Sequence, residues 1–314
     1  ANRSCPSSTP WPIGETATRR ASDKDMAEES SSVYIGFFSG NQLKVIACIA
    51  MLIDHIGWIL FPGEIAFRII GRISMPLFAF LFGEGCHYTR HKARHFAFVC
   101  ALGVLTSAAM SFVMKEPYGN ILITFSLSCP LIYALEGLKK FSVSGRKGGA
   151  VLCAGAFVCA LALAVWLCCF SPLDVDYGIA GVLLPVCVRL LDVRSFGVQG
   201  RAAQLLFSPV TALLPFFAGM VALMIAVGGI QFFSVMAVPL LVGYSGKRGK
   251  YALKWLFYTF YPAHLALLGA IYLIIHPIFC RCCSGKAASY KGAAARFVAA
   301  RMQGVCASSL SFAG

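Results

Sequence analysis

The 314-residue chain is 58% hydrophobic and only 13% charged. A soluble domain carries about a quarter charged residues, so this composition excludes an ordinary soluble protein. The formal net charge of +14 would suit a nucleic-acid-binding protein if the basic residues formed a patch. They lie instead in short segments between apolar runs, and no nucleic-acid-binding motif accompanies them, so we expect a membrane protein without a nucleic-acid partner.

The two ends of the chain differ from the part between them. Residues 1–34 are polar and carry both signs of charge, so we expect a disordered extension without a cleavable signal peptide, with Met26 as a candidate native start. Residues 280–314 are rich in Ala, Gly and Ser, and we expect a low-complexity tail. The tail contains three clustered cysteines, Cys280, Cys282 and Cys283. The further ligands that a zinc site needs are absent from the sequence around them, so we expect no metal there.

Residues 35–279 contain recurrent apolar stretches of about 17–25 residues, the length that crosses a bilayer. They predict an all-α, polytopic bundle of about nine transmembrane helices. The cysteines within these stretches are expected to behave as small hydrophobic residues. The predicted helices cover residues 43–61, 65–85, 96–114, 120–138, 150–170, 178–191, 204–224, 229–244 and 255–275.

The basic residues between the predicted helices lie almost entirely on one side of the membrane. Alternate loops contain 14 basic residues, whereas the other set contains only Lys115. Because cytoplasmic loops are enriched in Lys and Arg, we expect a cytoplasmic amino terminus, an external carboxyl terminus and a location in the cell's inner membrane. The 14 residues are Arg90, Lys92, Arg94, Lys139, Lys140, Arg146, Lys147, Arg189, Arg194, Arg201, Lys247, Arg248, Lys250 and Lys254.

Ionisable residues occur inside the first two predicted helices, where they are energetically costly and usually functional. Asp54 and His55 lie in the first helix, and Arg68 and Arg72 lie in the second. At 1.5 Å per residue, Asp54 and Arg72 each lie about 10 Å from the same membrane surface. Gly71 would allow the two helices to approach closely. We therefore expect Asp54 to pair with an arginine and His55 to face a cavity, since adjacent helical residues point in different directions.

The last predicted helix contains a second intramembrane histidine, His264, at a depth from which it and His55 could line one chamber. Tyr261 lies one helical turn before His264, and Asp176 and Tyr177 lie at the mouth of the sixth helix, where they could meet a substrate amine. Structural alternatives stay open: an ion pair that joins two helices, and core histidines bonded to backbone carbonyls.

Three histidines, His87, His91 and His95, are spaced four residues apart, as metal ligands on one helix face would be. Three basic residues lie between them and would repel a cation. We therefore expect a solvated basic loop and no metal site.

Several stretches, in order over residues 42–275, resemble the TraX family of conjugative-pilin acetylases and, more distantly, the acyltransferase-3 proteins. The residues that carry the resemblance are LKVIACIAMLIDHIG, FRIIGRISMPLFAFLFGEGCHYTR, NILITFSLSCPLIYALE, DYGIAGVLLP, GGIQFFSVMAVPLLVGYSGKRGK and KWLFYTFYPAHLALL.

The resemblance implies transfer of an acetyl group from cytoplasmic acetyl-CoA to an acceptor on the far side of the membrane: the amino terminus of a pilin-like protein, or another cell-envelope amine or hydroxyl. It maps a catalytic first-helix histidine onto His55, and second-helix arginines onto Arg68 and Arg72. Such a reaction requires a base and a cation for the oxyanion, roles that suit His55 and Arg72.

Asp54 completes the expected catalytic set, and the remaining candidates would bind substrate or the acyl group: Arg68, His264, Tyr261, Asp176 and Tyr177. A proton-coupled transporter, which also needs intramembrane ions, and a conjugation or assembly protein without catalysis are the alternative functions.

Overall fold

The computed structural model describes residues 36–191, 209–250 and 254–282, and most of them are helical. Two β-strands of two residues each are the exceptions that matter for the site. In chain order the elements are α1 (Gly40–Ile59), α2 (Ile65–Gly71), α3 (Ser74–Tyr88), α4 (Lys92–Met114), β1 (Tyr118–Gly119), α5 (Ile121–Val143), α6 (Lys147–Cys169), β2 (Asp174–Val175), α7 (Gly178–Leu190), α8 (Pro209–Val227), a 3-10 helix (Gly229–Ala237), α9 (Val238–Val242) and α10 (Lys254–Cys282).

Five helical segments among the described residues are long and apolar enough to cross a membrane, so the chain is a helical membrane protein. They are Gly40–Ile59, Ile65–Tyr88, Lys92–Val113, Ile121–Val143 and Lys147–Cys169. The larger number of spans and the orientation of the amino terminus stay predictions.

The apolar surface of α6 is the clearest sign of a lipid environment. Only Ala164 is buried on this helix, all of which the structure describes, while Val151 and Leu152 are 71% and 75% exposed. Such a helix would aggregate in water, whereas in a bilayer its apolar side chains contact acyl chains.

Two predicted helices differ from their expected form. The second is broken at residues 72 and 73, where α2 ends and α3 begins. The eighth is mostly a 3-10 helix, which α9 follows. Sequence hydropathy detects apolar length but not these local changes in backbone hydrogen bonding.

Backbone contacts between distant turns define two ends of the bundle. At the end that we call the site end, β1 pairs in parallel with β2 and joins the α4–α5 turn to the α6–α7 turn. At the opposite end, the basic end, Gly40 donates its backbone N–H to the carbonyl of Lys247.

Side chains cap two helices: Ser39 forms a capping box with Gln42 at the start of α1, and Asn120 accepts two backbone N–H groups at the start of α5.

The main hydrophobic core lies between α1, α3, α7 and α8. Phe80 of α3 is fully buried and packs edge to face on Phe216 of α8, with ring centroids 5.4 Å apart. Leu43 and Leu184 are also fully buried in this cluster. Because α3 is held on several sides, the α2–α3 break that precedes it is positioned by the core.

Candidate functional site

A buried ion cluster joins α1 to the α2–α3 break. Asp54 accepts a hydrogen bond of 2.6 Å from Arg72 Nη2 on one carboxylate oxygen and another of 2.6 Å from Arg68 Nη1 on the other. The sequence predicted one arginine partner, and the structure provides two. One carboxylate with two guanidinium groups leaves a net charge of +1 in a partly buried place.

Gly71 makes this pairing possible. A Cβ atom at this position would lie 2.2 Å from Asp54 Oδ1, closer than any real contact. The close approach of α1 and α2 that the sequence predicted at Gly71 is therefore present. A side chain here would push Asp54 away from both arginines.

Four protein elements hold the Arg72 guanidinium in one orientation. Besides Asp54 on α1, its Nη1 lies 3.3 Å from Gln231 Oε1 on the 3-10 helix and 3.5 Å from the Tyr177 hydroxyl before α7. Its Nε donates to the backbone carbonyl of Arg68 on α2. Arg68 is more open: its side chain is 29% exposed, and it contacts Asp54 through Nη1 alone.

Sequence reasoning missed Gln231. It is 1% exposed, accepts from Arg72 and donates to Ser234. A lone amide inside the apolar stretch GGIQFFSVM was the available signal, because a buried amide needs partners.

His55 and His264 face each other beside the ion cluster. Nδ1 of His264 lies 2.6 Å from the carbonyl oxygen of Phe260, so this nitrogen carries the proton and donates. Nε2 of neutral His264 is then an acceptor, and it lies 3.2 Å from Nδ1 of His55, which also lies 2.9 Å from the Met51 carbonyl. With two acceptors facing it, His55 Nδ1 carries a proton.

The lone pair of neutral His55 is consequently on Nε2. No described residue forms a hydrogen bond with this nitrogen. The two histidines contact each other, and each also contacts a carbonyl of its own helix, which was the structural alternative. His264 uses a different nitrogen for each of its two contacts, whereas Nδ1 of His55 faces both of its partners.

Asp176 and Tyr177 lie at the site end, next to the paired strands. Asp176 donates its backbone N–H to Gly119 and accepts from Thr124 Oγ1 on its carbonyl oxygen. The Tyr118 hydroxyl lies close to its carboxylate. Burial raises the pKa of Asp176 to about 6, although the charge of Arg72 and the nearby Tyr118 hydroxyl act in the opposite direction.

Tyr177 adopts a left-handed backbone conformation, with φ of 62°. This conformation is rare for a large residue and costs roughly 1–2 kcal/mol. It turns the chain into α7 and places the phenol near Arg72. Burial raises the pKa of Tyr177 to about 12, so the phenol is neutral and can donate a hydrogen bond. Tyr261, 7% exposed, packs edge to face on His264 and completes the group of predicted site residues.

All eight candidate site residues thus converge at one end of the bundle. They come from α1, α2, the α2–α3 break, the turn before α7, and α10. The cluster combines two imidazoles, two guanidinium groups, two carboxylates and two phenols.

A second buried ion network lies toward the basic end. Glu136 of α5 accepts from His87 Nδ1 at 2.9 Å and Lys92 Nζ at 2.7 Å, and lies 3.5 Å from Arg189 Nε. Arg189 also lies 3.5 Å from Glu84 and is 2% exposed. The network therefore matches buried positive charges with two carboxylates, as low-dielectric surroundings require.

This network corrects two expectations. Arg189 was counted among the loop cations, although the predicted helix 178–191 contained it; it lies buried in the last turn of α7, next to Glu84 and Glu136. The histidine triplet is not a solvated loop: His87 binds Glu136, and His95 Nδ1 lies 2.8 Å from the Tyr133 hydroxyl. His87 and His95 lie on different helices, so their regular spacing does not put them on one face. The structure does not describe the side chains of the tail cysteines, Cys280, Cys282 and Cys283.

Comparison with known proteins gives a consistent family match. The profile of a family described as "TraX protein" matches residues 39–272. Protein TraX of Escherichia coli is 28% identical over 241 residues, covering 74% of this chain and 86% of the relative. A probable fimbrial assembly protein, FimC, of Dichelobacter nodosus is 27% identical over 257 residues, covering 74% of this chain and 94% of the relative.

A further similarity covers a shorter part of the chain. An uncharacterised protein of Rickettsia prowazekii is 33% identical over 137 residues, which span 43% of this chain and about half (49%) of that relative. No solved structure matches the chain.

Proposed function

This chain belongs to the TraX family, and on that premise we propose that it is a membrane-embedded acetyltransferase. In this proposal acetyl-CoA donates the acetyl group at the cytoplasmic side, and an amine or hydroxyl group on the opposite side accepts it. The observation that carries the proposal is the free Nε2 of His55 beside the Asp54–Arg68 pair.

His55 is the proposed general base. Its Nδ1 proton is directed to Met51 and His264, which leaves Nε2 to accept a proton from the attacking group. His264 is a positioning residue that fixes the tautomer and the ring orientation of His55. Neutral imidazole is suited to this role near neutral pH.

Arg68 is the proposed cation for the oxyanion, a role that the sequence analysis gave to Arg72. Arg72 directs its donors to Asp54, Tyr177, Gln231 and a carbonyl, whereas Arg68 retains Nε and Nη2 for a ligand. Arg68 is also the more exposed of the two. Arg72 then orients Asp54, which in turn orients Arg68.

The proposed reaction transfers an acetyl group from the thioester of acetyl-CoA to the acceptor. The acceptor nitrogen attacks the thioester carbonyl carbon, and Nε2 of His55 takes the proton that the amine loses. Arg68 stabilises the negative oxygen of the tetrahedral intermediate. The carbon–sulfur bond then breaks, and the coenzyme A sulfur takes the proton from His55 and leaves as a thiol.

The acceptor is proposed to be the amino terminus of a pilin-like protein, or another cell-envelope group. The name of one relative, a probable fimbrial assembly protein, supports a role linked to pili. Asp176 and Tyr177 at the site end would bind an approaching amine through a carboxylate and a phenol. The donor's diphosphate would meet the loops of the basic end, where Arg146 is exposed.

The test is release of coenzyme A thiol from acetyl-CoA by the purified protein in liposomes, with and without an acceptor peptide that has a free amino terminus. Acceptor-dependent thiol release and peptide acetylation support the proposal. Proton or solute flux without thiol release would instead identify a transporter, because a transporter leaves the thioester intact.

A further inference from the structure

Three soft metal-ligand side chains meet inside the bundle, away from the proposed catalytic site. They are Cys86 on α3, His95 on α4 and Cys129 on α5, and their ligand atoms all lie within 4.8 Å of one another. Both cysteines are fully buried. Among the residues that the structure describes, this is the one group of three or more possible ligands that meets so closely.

The donor set and its spacing suit zinc. In a tetrahedral site with zinc–sulfur distances near 2.3 Å and zinc–nitrogen distances near 2.0 Å, neighbouring ligand atoms are roughly 3.5 Å apart. Small side-chain rotations would bring the three atoms from within 4.8 Å to that spacing. Because the ligands come from three helices, one ion would join α3, α4 and α5.

Tyr133 occupies a further side of the cluster. Its hydroxyl lies 2.8 Å from His95 Nδ1, and the thiols of Cys86 and Cys129 lie near it. The hydroxyl can therefore fill the fourth position around an ion, or orient the imidazole, as partners of metal-bound histidines do. Lys92, which pairs with Glu136, lies 5.0 Å from the centre of the Tyr133 ring.

The charges of the ligands favour a divalent ion over a monovalent one. Two thiolates, one neutral imidazole and Zn²⁺ sum to zero, which suits a buried place in a membrane protein. Monovalent copper with the same ligands would leave a net negative charge there. Zinc binding releases the two thiol protons, so affinity should rise with pH.

We propose that Cys86, His95 and Cys129 bind one structural zinc ion, with the Tyr133 hydroxyl at the fourth position. The site is independent of the proposed acetyl transfer, since none of its residues belongs to the catalytic cluster. It also changes the interpretation of the cysteines, two of which act as ligands and not as small hydrophobic residues. The third histidine of the sequence triplet thus binds a metal, but with cysteines and not with the other two histidines.

The test measures metal content of the full chain purified in detergent, with Cys280, Cys282 and Cys283 replaced by serine in every sample so that the tail cannot contribute. We expect one zinc per chain by mass spectrometry. Cobalt should replace it and produce a thiolate-to-cobalt absorption band. Cys86→Ser and Cys129→Ser should weaken metal binding at least 100-fold, and Tyr133→Phe about 10-fold to 100-fold. Cys100→Ser, on the same helix as His95, is the matched control and should retain the ion.

If the cysteine variants fail to fold, zinc binding can still be tested on the protein that retains Cys86 and Cys129. In the protein with native Cys86 and Cys129, zinc should protect both thiols from alkylation, and a chelator should expose them and lower the melting temperature. Three results would each overturn the proposal: no zinc or cobalt bound by the folded protein, equal metal content in Cys86→Ser and Cys100→Ser, or a disulfide between Cys86 and Cys129.

Discussion

The imidazole rings of His55 and His264, 209 residues apart in the chain, lie 4.9 Å apart between centroids, and their nearest nitrogens are separated by 3.2 Å. Each also contacts a carbonyl one turn earlier in its own helix. The pair therefore fixes which nitrogen of each ring carries a proton. This relationship determines the roles that the two histidines can take.

The first prediction separates the two histidines. His55→Ala should lower turnover about 10²–10⁴-fold, since it removes the proposed base, and leave acetyl-CoA binding unchanged. His264→Gln should lower turnover less, because Met51 still accepts from His55. Thiol release by purified variants measures this effect, with His91→Ala, an exposed histidine outside both clusters, as control. Normal turnover by His55→Ala would remove this residue from the mechanism.

The second prediction concerns the two arginines bound to Asp54. Arg68→Lys should retain the fold and lower turnover about 100-fold, because lysine lacks the forked guanidinium that binds carboxylate and oxyanion together. Arg72→Lys should chiefly lower the melting temperature, since Gln231 and Tyr177 would lose their shared partner. Thermal unfolding and thiol release on the same samples distinguish the two effects. If Arg72→Lys is stable but inactive, the oxyanion role returns to Arg72.

The third prediction tests the close approach of α1 and α2. Gly71→Ala should lower protein abundance and the melting temperature strongly, because its Cβ would overlap Asp54. Gly85→Ala is the matched control: it is also helical, nothing lies within 4 Å of its Cβ, and it should be neutral or stabilising by about 1 kcal/mol. Equal melting temperatures for the two variants would contradict the packing described for α1 and α2.

The fourth prediction follows from the raised pKa of Asp176. The folded pKa of about 6 lies above the ordinary value of 3.8, so the folded state binds this proton more tightly than the unfolded state. This residue therefore lowers stability progressively as pH rises from about 4 to above 6. Asp176→Asn should raise the melting temperature at pH 8 and change it little at pH 4.5. A rise of the same size at both pH values would show that ionisation of Asp176 is not the cause.

The fifth prediction concerns orientation. Single cysteines at Ser144, at the basic end, and Pro172, at the site end, should react differently with a membrane-impermeant thiol reagent added outside cells. Both positions are exposed in the structure, so accessibility to the reagent reports only their side of the membrane. Pro172→Cys should react and Ser144→Cys should not, since basic loops stay in the cytoplasm. The opposite labelling pattern would invert the proposed orientation.

Composition and apolar length by themselves determined that this is a helical membrane protein, because a bilayer demands long apolar helices with internally satisfied backbone groups. The fixed rise of an α-helix also placed Asp54 level with Arg72, since depth in the membrane follows from residue position along each helix. A short connection makes α1 and α2 neighbours, so this part of the site is encoded locally.

Tertiary structure alone decided the rest of the site. Gln231 and Tyr177 reach Arg72 across 159 and 105 residues, and no periodicity along the chain predicts which distant helix lies beside α2. The same limit hid Cys86, His95 and Cys129, which lie on three helices. Spacing within one helix suggested a histidine triplet instead. Hydropathy identifies which segments enter the membrane, whereas side-chain packing between those segments decides which polar groups meet there.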